Sequence, residues 1–270
     1  MTVVFRTRLS LALRLVDTTT GRAVEERGTS FFLDGNRLQP MYKGDGFFVF
    51  VNIGKEDFLM LIDSPGYEKT QLNVNCEELD PRLPMKDVFL MPSEKNRRGG
   101  QVLEISGTLS ELKFIEAINL DRPIGLFHSI TEKKNVSRMT LLPMRSGGGV
   151  RLESIRYALL SETGERYDCF EVKEQDAPLS IVLKEPFEAE HKLNDKIYRI
   201  IYGRAGPDGN FSLKVRDDSD SLPYLIHFKV GEDEYFKKAD FHLDAGHMDL
   251  LKDAAKVVIP ITEESNEDSE

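Results

Sequence analysis

The chain has 270 residues, of which 40% are hydrophobic and 30% charged, with a formal net charge of −10. That composition excludes global disorder, and the negative balance argues against a face built to hold a nucleic-acid backbone. The length exceeds one small β-module and suits two, each able to bury its own core.

Residues 1–9 include an apolar stretch, but Arg6 and Arg8 interrupt it. The continuous apolar region and small-residue cleavage site of a signal peptide are missing. No run approaches the ~18 apolar residues of a membrane-spanning helix. Cys76 and Cys169 form neither a CxxC pair nor a disulfide framework. These features give the expectation of a cytoplasmic chain with reduced thiols, no membrane span and no nucleic-acid partner.

Leu9, Leu11, Leu13 and Leu15 recur at period two, the mark of a strand with one face in a core. Asp17-Thr18-Thr19-Thr20-Gly21-Arg22 then supplies turn residues whose side chains bond local backbone. Residues 29–33 read as a short strand stopped by Asp34-Gly35-Asn36. The next strand starts from Asp45-Gly46, a strong hairpin signal. Phe47, Val49, Val51 and Ile53 face one way, and Phe48 and Phe50 the other. Phe58, Met60 and Ile62 alternate likewise with Leu59 and Leu61. A sheet with one wet face would carry polar residues on it. Both faces of these strands are therefore expected to be covered, by a second module, a partner chain or the module's own loops.

Residues 93–101 are polar and glycine-bearing, a linker composition. Ser110 then caps an expected short helix with Leu112, Ile115 and Ile118 on one face, a strand being the alternative. Short strands recur over 139–144, 155–160, 167–172, 180–183 and 197–202, with Gly147-Gly148-Gly149 as a flexible turn. Residues 246–256 place Met248, Leu251, Ala254 and Ala255 at helical spacing. Residues 263–270 hold five acids and no base, the composition of a disordered acidic tail.

One pattern occurs twice. Gly44-Asp45-Gly46-Phe47-Phe48-Val49-Phe50 returns in altered form as Pro207-Asp208-Gly209-Asn210-Phe211-Ser212-Leu213. A strand follows each, at 58–62 and 224–228, then an aromatic-bearing charged turn, Pro65-Gly66-Tyr67-Glu68-Lys69 or Asp233-Glu234-Tyr235-Phe236-Lys237. Each copy closes on a short strand ending in proline, Val88-Phe89-Leu90-Met91-Pro92 or Val257-Val258-Ile259-Pro260. The expected fold class is all-β: two β-sandwich modules, 1–95 and 96–262, with one or two short helices.

The first module resembles the carboxypeptidase regulatory-like domains, the transthyretin-like or prealbumin-like β-sandwiches, over about residues 8–92. The resemblance rests on Asp17-Thr18-Thr19-Thr20-Gly21-Arg22-Ala23-Val24, the Asp45-Gly46-Phe47 hairpin, Pro65-Gly66-Tyr67 and Val88-Phe89-Leu90, in that order. A weaker second copy lies near 150–260, where Asp233-Glu234-Tyr235 replaces Pro-Gly-Tyr. The resemblance implies an Ig-like, transthyretin-like architecture and a spacer, docking surface or oligomerisation unit without catalytic residues. Combined with the missing export signal, it points to a cytoplasmically built assembly; a phage tail-like or contractile injection apparatus meets both conditions.

The expected interface is Phe47, Phe48, Phe50 and Tyr67, so serine at positions 48 and 50 should weaken association and spare the fold. His242, Asp244 and His247 are the candidate metal ligands, one strand face plus a return over the turn. No Cys, third His or HExxH spacing supports them, so neither metal nor cofactor is expected. Asp217-Asp218-Ser219-Asp220-Ser221 offers oxygens for calcium but lacks the glycine and distal glutamate of an EF-hand loop. No GxSxG elbow is present. In a chain without Trp, Tyr42, Tyr67, Tyr224 and Tyr235 are the aromatic candidates for sugar stacking. The expected function is non-enzymatic protein–protein association, with a protein partner or by self-association. The alternatives are a carbohydrate- or calcium-binding sandwich and a metal-dependent enzyme built on His242, His247 and nearby carboxylates.

Overall fold

The structure, a computed structural model, describes residues 9–25, 28–54, 56–93, 101–133, 136–144, 150, 152–162, 164, 166–186, 191–217, 223–244 and 246–257. The side chains of Gln101, Lys133, Asp217, His242 and Leu243 are outside that description, as are the 94–100 linker, the triglycine, most of the calcium candidate and the acidic tail.

Almost every element is a strand. The first eight are β1 (Leu9–Asp17), β2 (Ser30–Leu33), β3 (Asn36–Leu38), β4 (Met41–Tyr42), β5 (Phe47–Val51), β6 (Phe58–Asp63), β7 (Thr70–Val74) and β8 (Met85–Leu90). They form two four-stranded sheets, β4-β5-β1-β8 and β3-β2-β6-β7. One cluster of buried side chains, including Leu13, Leu15, Phe31, Phe50, Met60, Ile62 and Leu90, is shared between them. The alternation of β1 thus has a simple physical cause: its core-facing leucines meet the facing sheet.

β9 (Gln101–Thr108) and β10 (Leu112–Asn119) come next. The chain then leaves for a closed barrel of β11 (Gly125–Lys133), β12 (Val136–Leu142), β13 (Arg156–Leu160), β14 (Tyr167–Ala177), β15 (Ser180–Leu183) and β16 (Lys196–Arg199). Its own core centres on Met139, Tyr157, Leu159, Ile181 and Ile197. The chain returns in β17 (Ile201–Tyr202), β18 (Arg204–Ala205), β19 (Asn210–Asp217), β20 (Pro223–Val230), β21 (Asp233–Asp240), the helical turn α1 (Phe241–Asp244), β22 (Gly246–His247) and β23 (Ala255–Lys256).

The sheets on either side of the barrel repeat those of the first unit, strand for strand. The order β18-β19-β9-β22 matches β4-β5-β1-β8, and β17-β10-β20-β21 matches β3-β2-β6-β7, with β23 added at one edge. Even the one parallel pairing recurs, β8 on β1 and β22 on β9. Asp45-Gly46 and Asp208-Gly209 introduce equivalent strands, and both glycines have positive φ. In the first unit Asp34-Gly35 turns β2 into β3; at the equivalent point of the second, the whole barrel is inserted.

Several expectations change. The second copy begins at β9, ahead of residue 150, and the barrel within the 96–262 span was not foreseen. Its closing parallel strand is β22; most of Val257–Pro260 lies outside the described residues. Asp233-Glu234-Tyr235 opens β21 and is not a turn. The expected helix at 110–118 is β10, bonded on both edges by β17 and β20. Both its faces are buried, one in its own core and one against the barrel, and a strand covered twice imitates a helical pattern. The 246–256 helix is likewise replaced by β22, turns and β23, so the described helix is the single turn α1. No described helix is long and apolar enough to cross a membrane.

Phe48 and Phe50 require a further correction. Both are buried in the first unit's core, with Phe31 at 4.9 and 5.1 Å between ring centroids. Phe48 reaches only the floor of a surface cavity beside Tyr42, and Phe50 faces the core. Burying each large ring contributes roughly 3–5 kcal/mol by truncation data. The double substitution Phe48→Ser and Phe50→Ser is expected to remove about 6 kcal/mol or more, most of a domain's stability. Loss of the cooperative melt by circular dichroism would show it; an intact melt would return both rings to the surface.

Candidate functional site: the junction of the three units

Asp17-Thr18-Thr19-Thr20-Gly21-Arg22, read in the sequence only as a turn, is the point where the units meet. Asp17 is buried and organises it: its Oδ1 accepts from the Thr19 amide at 2.8 Å, the Thr19 hydroxyl at 2.7 Å and the Thr20 amide at 3.0 Å. Its Oδ2 accepts from the Tyr67 hydroxyl at 2.9 Å, so Tyr67 braces this turn. With the carboxylate saturated, the backbone is free to bond outward.

It bonds in two directions. Toward the barrel, Ser154 Oγ donates to Thr20 O at 3.0 Å and the Ile155 amide to Gly21 O at 3.0 Å. Arg22 pairs with Glu153 beside them. Toward the second layered unit, the Tyr202 amide donates to Thr18 O at 2.8 Å and Arg216 Nε to Thr19 Oγ1 at 3.1 Å. Lys214 and Arg204, on β19 and β18, converge on Glu68, and the Phe89 ring lies 4.3 Å from Tyr202. Val16 joins Ile118, Ala158, Leu160, Tyr198, Ile200, Tyr202 and Leu225 in one buried cluster fed by all three units. The junction thus combines an apolar centre with a ring of directed bonds.

A second polar group lies in the seam between the barrel and the outer face of β10 and β20. His227 places Nδ1 3.0 Å from Glu116 Oε1 and Nε2 3.2 Å from Glu234 Oε2. Each ring nitrogen thus faces one carboxylate oxygen. Phe236 stacks on it at 4.7 Å, with Tyr167 at 4.8 Å and Phe114 at 5.0 Å. From the barrel, the Tyr167 hydroxyl donates to Glu116 at 3.1 Å, Cys169 Sγ approaches it at 3.6 Å, and Arg156 lies 3.6 Å from its other oxygen.

The electrostatics follow from this crowding. Burial pushes the Glu116 carboxyl up, but the His227 hydrogen bond, the Arg156 charge and the Tyr167 hydroxyl outweigh it and leave it lowered. Burial, then the Glu116 charge, push the Cys169 thiol far up. A thiol held protonated is a poor nucleophile and a poor metal ligand. A cavity of about 420 Å³ opens beside it, walled by Arg156, Cys169, Glu171 and Lys184 among others, and there Lys184 is already paired with Glu171. Across the seam itself, the Arg156 charge and the Tyr167 hydroxyl are directed at Glu116.

The other candidates are scattered. Phe47 is half-buried under the Arg14 guanidinium, which lies 5.5 Å from its ring and also pairs with Asp87. Asp244 accepts from the Asp240 amide at 2.8 Å, His247 is exposed in β22, and the His242 side chain is outside the described residues. No group of three or more His, Cys, Asp or Glu among the described residues is placed to hold a metal. Of the four tyrosines, Tyr224 is buried, Tyr67 and Tyr235 are half-buried, and Tyr42 is exposed. Sequence reasoning missed Glu116 and His227, although each is a single titratable residue inside an apolar run, Phe114-Ile115-Glu116-Ala117-Ile118 and Tyr224-Leu225-Ile226-His227-Phe228. A strand apolar on both faces that admits one such group has to supply it with a partner.

Neither a family model nor a curated protein matches the chain. Among solved structures it is similar to a chimeric titin Z1Z2 tandem functionalised with a GRGDS peptide from fibronectin, at 6% identity, covering 85% of this chain and 94% of that one. The TM-score of 0.16 is too low for that likeness to carry an argument.

Proposed function

We propose that this chain is a non-enzymatic structural component of a protein assembly: a rigid three-part connector made of two transthyretin-like sandwiches and an inserted barrel. The observation that carries the reading is the 17–22 turn, whose carbonyl groups accept from Ser154 and Ile155 on one side and Tyr202 on the other. A transferring or hydrolytic site needs polar groups left free for a substrate. Here the polar groups of the 17–22 turn bind the first unit to the other two. A cytoplasmically built, phage tail-like or contractile injection apparatus is the context we favour, because such a machine transmits force through parts that keep their relative orientation.

Solution scattering tests the rigidity. The expected radius of gyration is the same at about 0.05 M and about 0.5 M salt, because the junction has an apolar centre that salt does not screen. A radius that grows with salt would mean units tethered mainly by Glu68, Lys214 and Arg204, and the connector reading would fall.

A further inference from the structure

The internal repeat shows where the first unit departs from the shared plan. Tyr42 pairs with Phe48 across β4 and β5, as Ala205 pairs with Phe211 across β18 and β19. Both phenylalanines are buried, but the alanine of the second unit is a 44% exposed tyrosine in the first. Two residues earlier the second unit has Gly203, where an added Cβ would lie 2.6 Å from the Ile115 side chain. The first unit has Pro40 there. It also joins its first two strands by residues 18–29, where β9 and β10 are joined by 109–111 alone. The result is a cavity of about 500 Å³ beside the edge strands β3 and β4, walled by Glu25, Arg37, Gln39, Pro40 and Tyr42 over a Phe48 floor.

We propose that this cavity binds one ring of a neutral saccharide. Its volume falls within the range of about 300–1,000 Å³ usual for small-ligand sites, which likewise combine apolar walls with a few polar groups. Charge narrows the class. Among the described residues of the wall, Glu25 is the one acid and Arg37 the one base, so a charged ligand is repelled by one of them. A hydroxyl accepts from a guanidinium and donates to a carboxylate, and the Gln39 amide serves it in either sense. Arg37 spends one bond on Ser30 Oγ, at 3.1 Å, and a guanidinium carries five N–H donors. A pyranose ring also has a flat C–H face that needs an apolar platform. Tyr42 supplies an exposed ring at the rim, braced on Phe48 with 5.1 Å between centroids.

Ligand-observed NMR on the full chain is the test, with saturation transferred from the protein to methyl β-D-glucoside, glucuronate or glucosamine. The neutral glycoside is expected to bind with a Kd of about 1 mM, as suits a small ligand in an open site, and both charged sugars more weakly. Tyr42→Ala should weaken binding at least tenfold and keep the cooperative melt, because the second unit carries alanine at this register. Should Tyr42→Ala misfold, Arg37→Met gives the same readout by removing the cationic donor. No transfer to the glycoside at about 10 mM, tighter binding of either charged sugar, or binding indifferent to both substitutions would each overturn the saccharide site. The connector reading stands or falls separately, on the scattering test.

Discussion

Glu116→Ala is expected to destabilise the chain by about 3 kcal/mol, because it leaves the buried His227 ring without its buried carboxylate partner. For a chain of this size, that amounts to a fall in melting temperature of about 6–12 °C. The effect should vanish in acid, and its sign follows from the carboxyl. Glu116 is held below its ordinary range in the fold, mainly by His227 and Arg156 working against burial. Its contribution is therefore complete above the unfolded-state value of roughly 4.3 and is lost as pH falls through the lower folded value. Urea titrations of both proteins should differ by a constant amount from about pH 7 to pH 5 and converge below about pH 4. A gap that stays constant to the lowest pH would show that the carboxylate charge plays no part. Adding His227→Ala to Glu116→Ala should cost less than the two single changes summed, since either one already breaks the pair.

Gly21→Val should pry the first unit away from the barrel. Gly21 has φ of +65°, and a Cβ there would meet Ile200 O at 3.1 Å and the Ser154 side chain at 3.3 Å. The backbone conformation alone costs an L-residue about 1–2 kcal/mol. Crowding against a carbonyl raises the total to about 3 kcal/mol, on the scale of other strained positions. Gly35→Ala is the control. Its φ is +78°, yet nothing lies within 4 Å of the added Cβ, so it carries the strain without the collision. Hydrogen exchange should show the Ile155 and Tyr202 amides, which donate to Gly21 and Thr18, losing protection in Gly21→Val and keeping it in Gly35→Ala. Equal protection in both variants would mean that the turn does not hold the units together.

Local chemistry was legible where a residue has few options. Asp45-Gly46 and Asp208-Gly209 read as turns because they supply left-handed backbone, and the leucines of β1 read as one core face because the alternation is strict. Facing was harder. Phe47 to Val51 is apolar at every position, so period two separates two sets without saying which is inside. Phe31, on the opposite sheet, makes that choice. The same ambiguity hid β10, whose Ile115 and Ala117 serve one core while Ile118 meets another. The barrel was illegible for a different reason. Its strands look like any short strands, and what closes it is the pairing of Gly125 with Ile197, two positions far apart in the chain. The Glu116–His227 contact is also long-range. Residue types announced that each needed a partner, and only the register of β10 on β20 named it.

The insertion point also orders events in time. β10 leaves the ribosome roughly a hundred residues before β20, the strand that flanks it and carries His227. At about 5–20 residues per second, Glu116 spends on the order of 5–20 seconds without its partner. The first unit is complete before that interval opens, and the barrel is completed within it. The second unit, begun before the barrel, can close only after it, around a neighbour already folded.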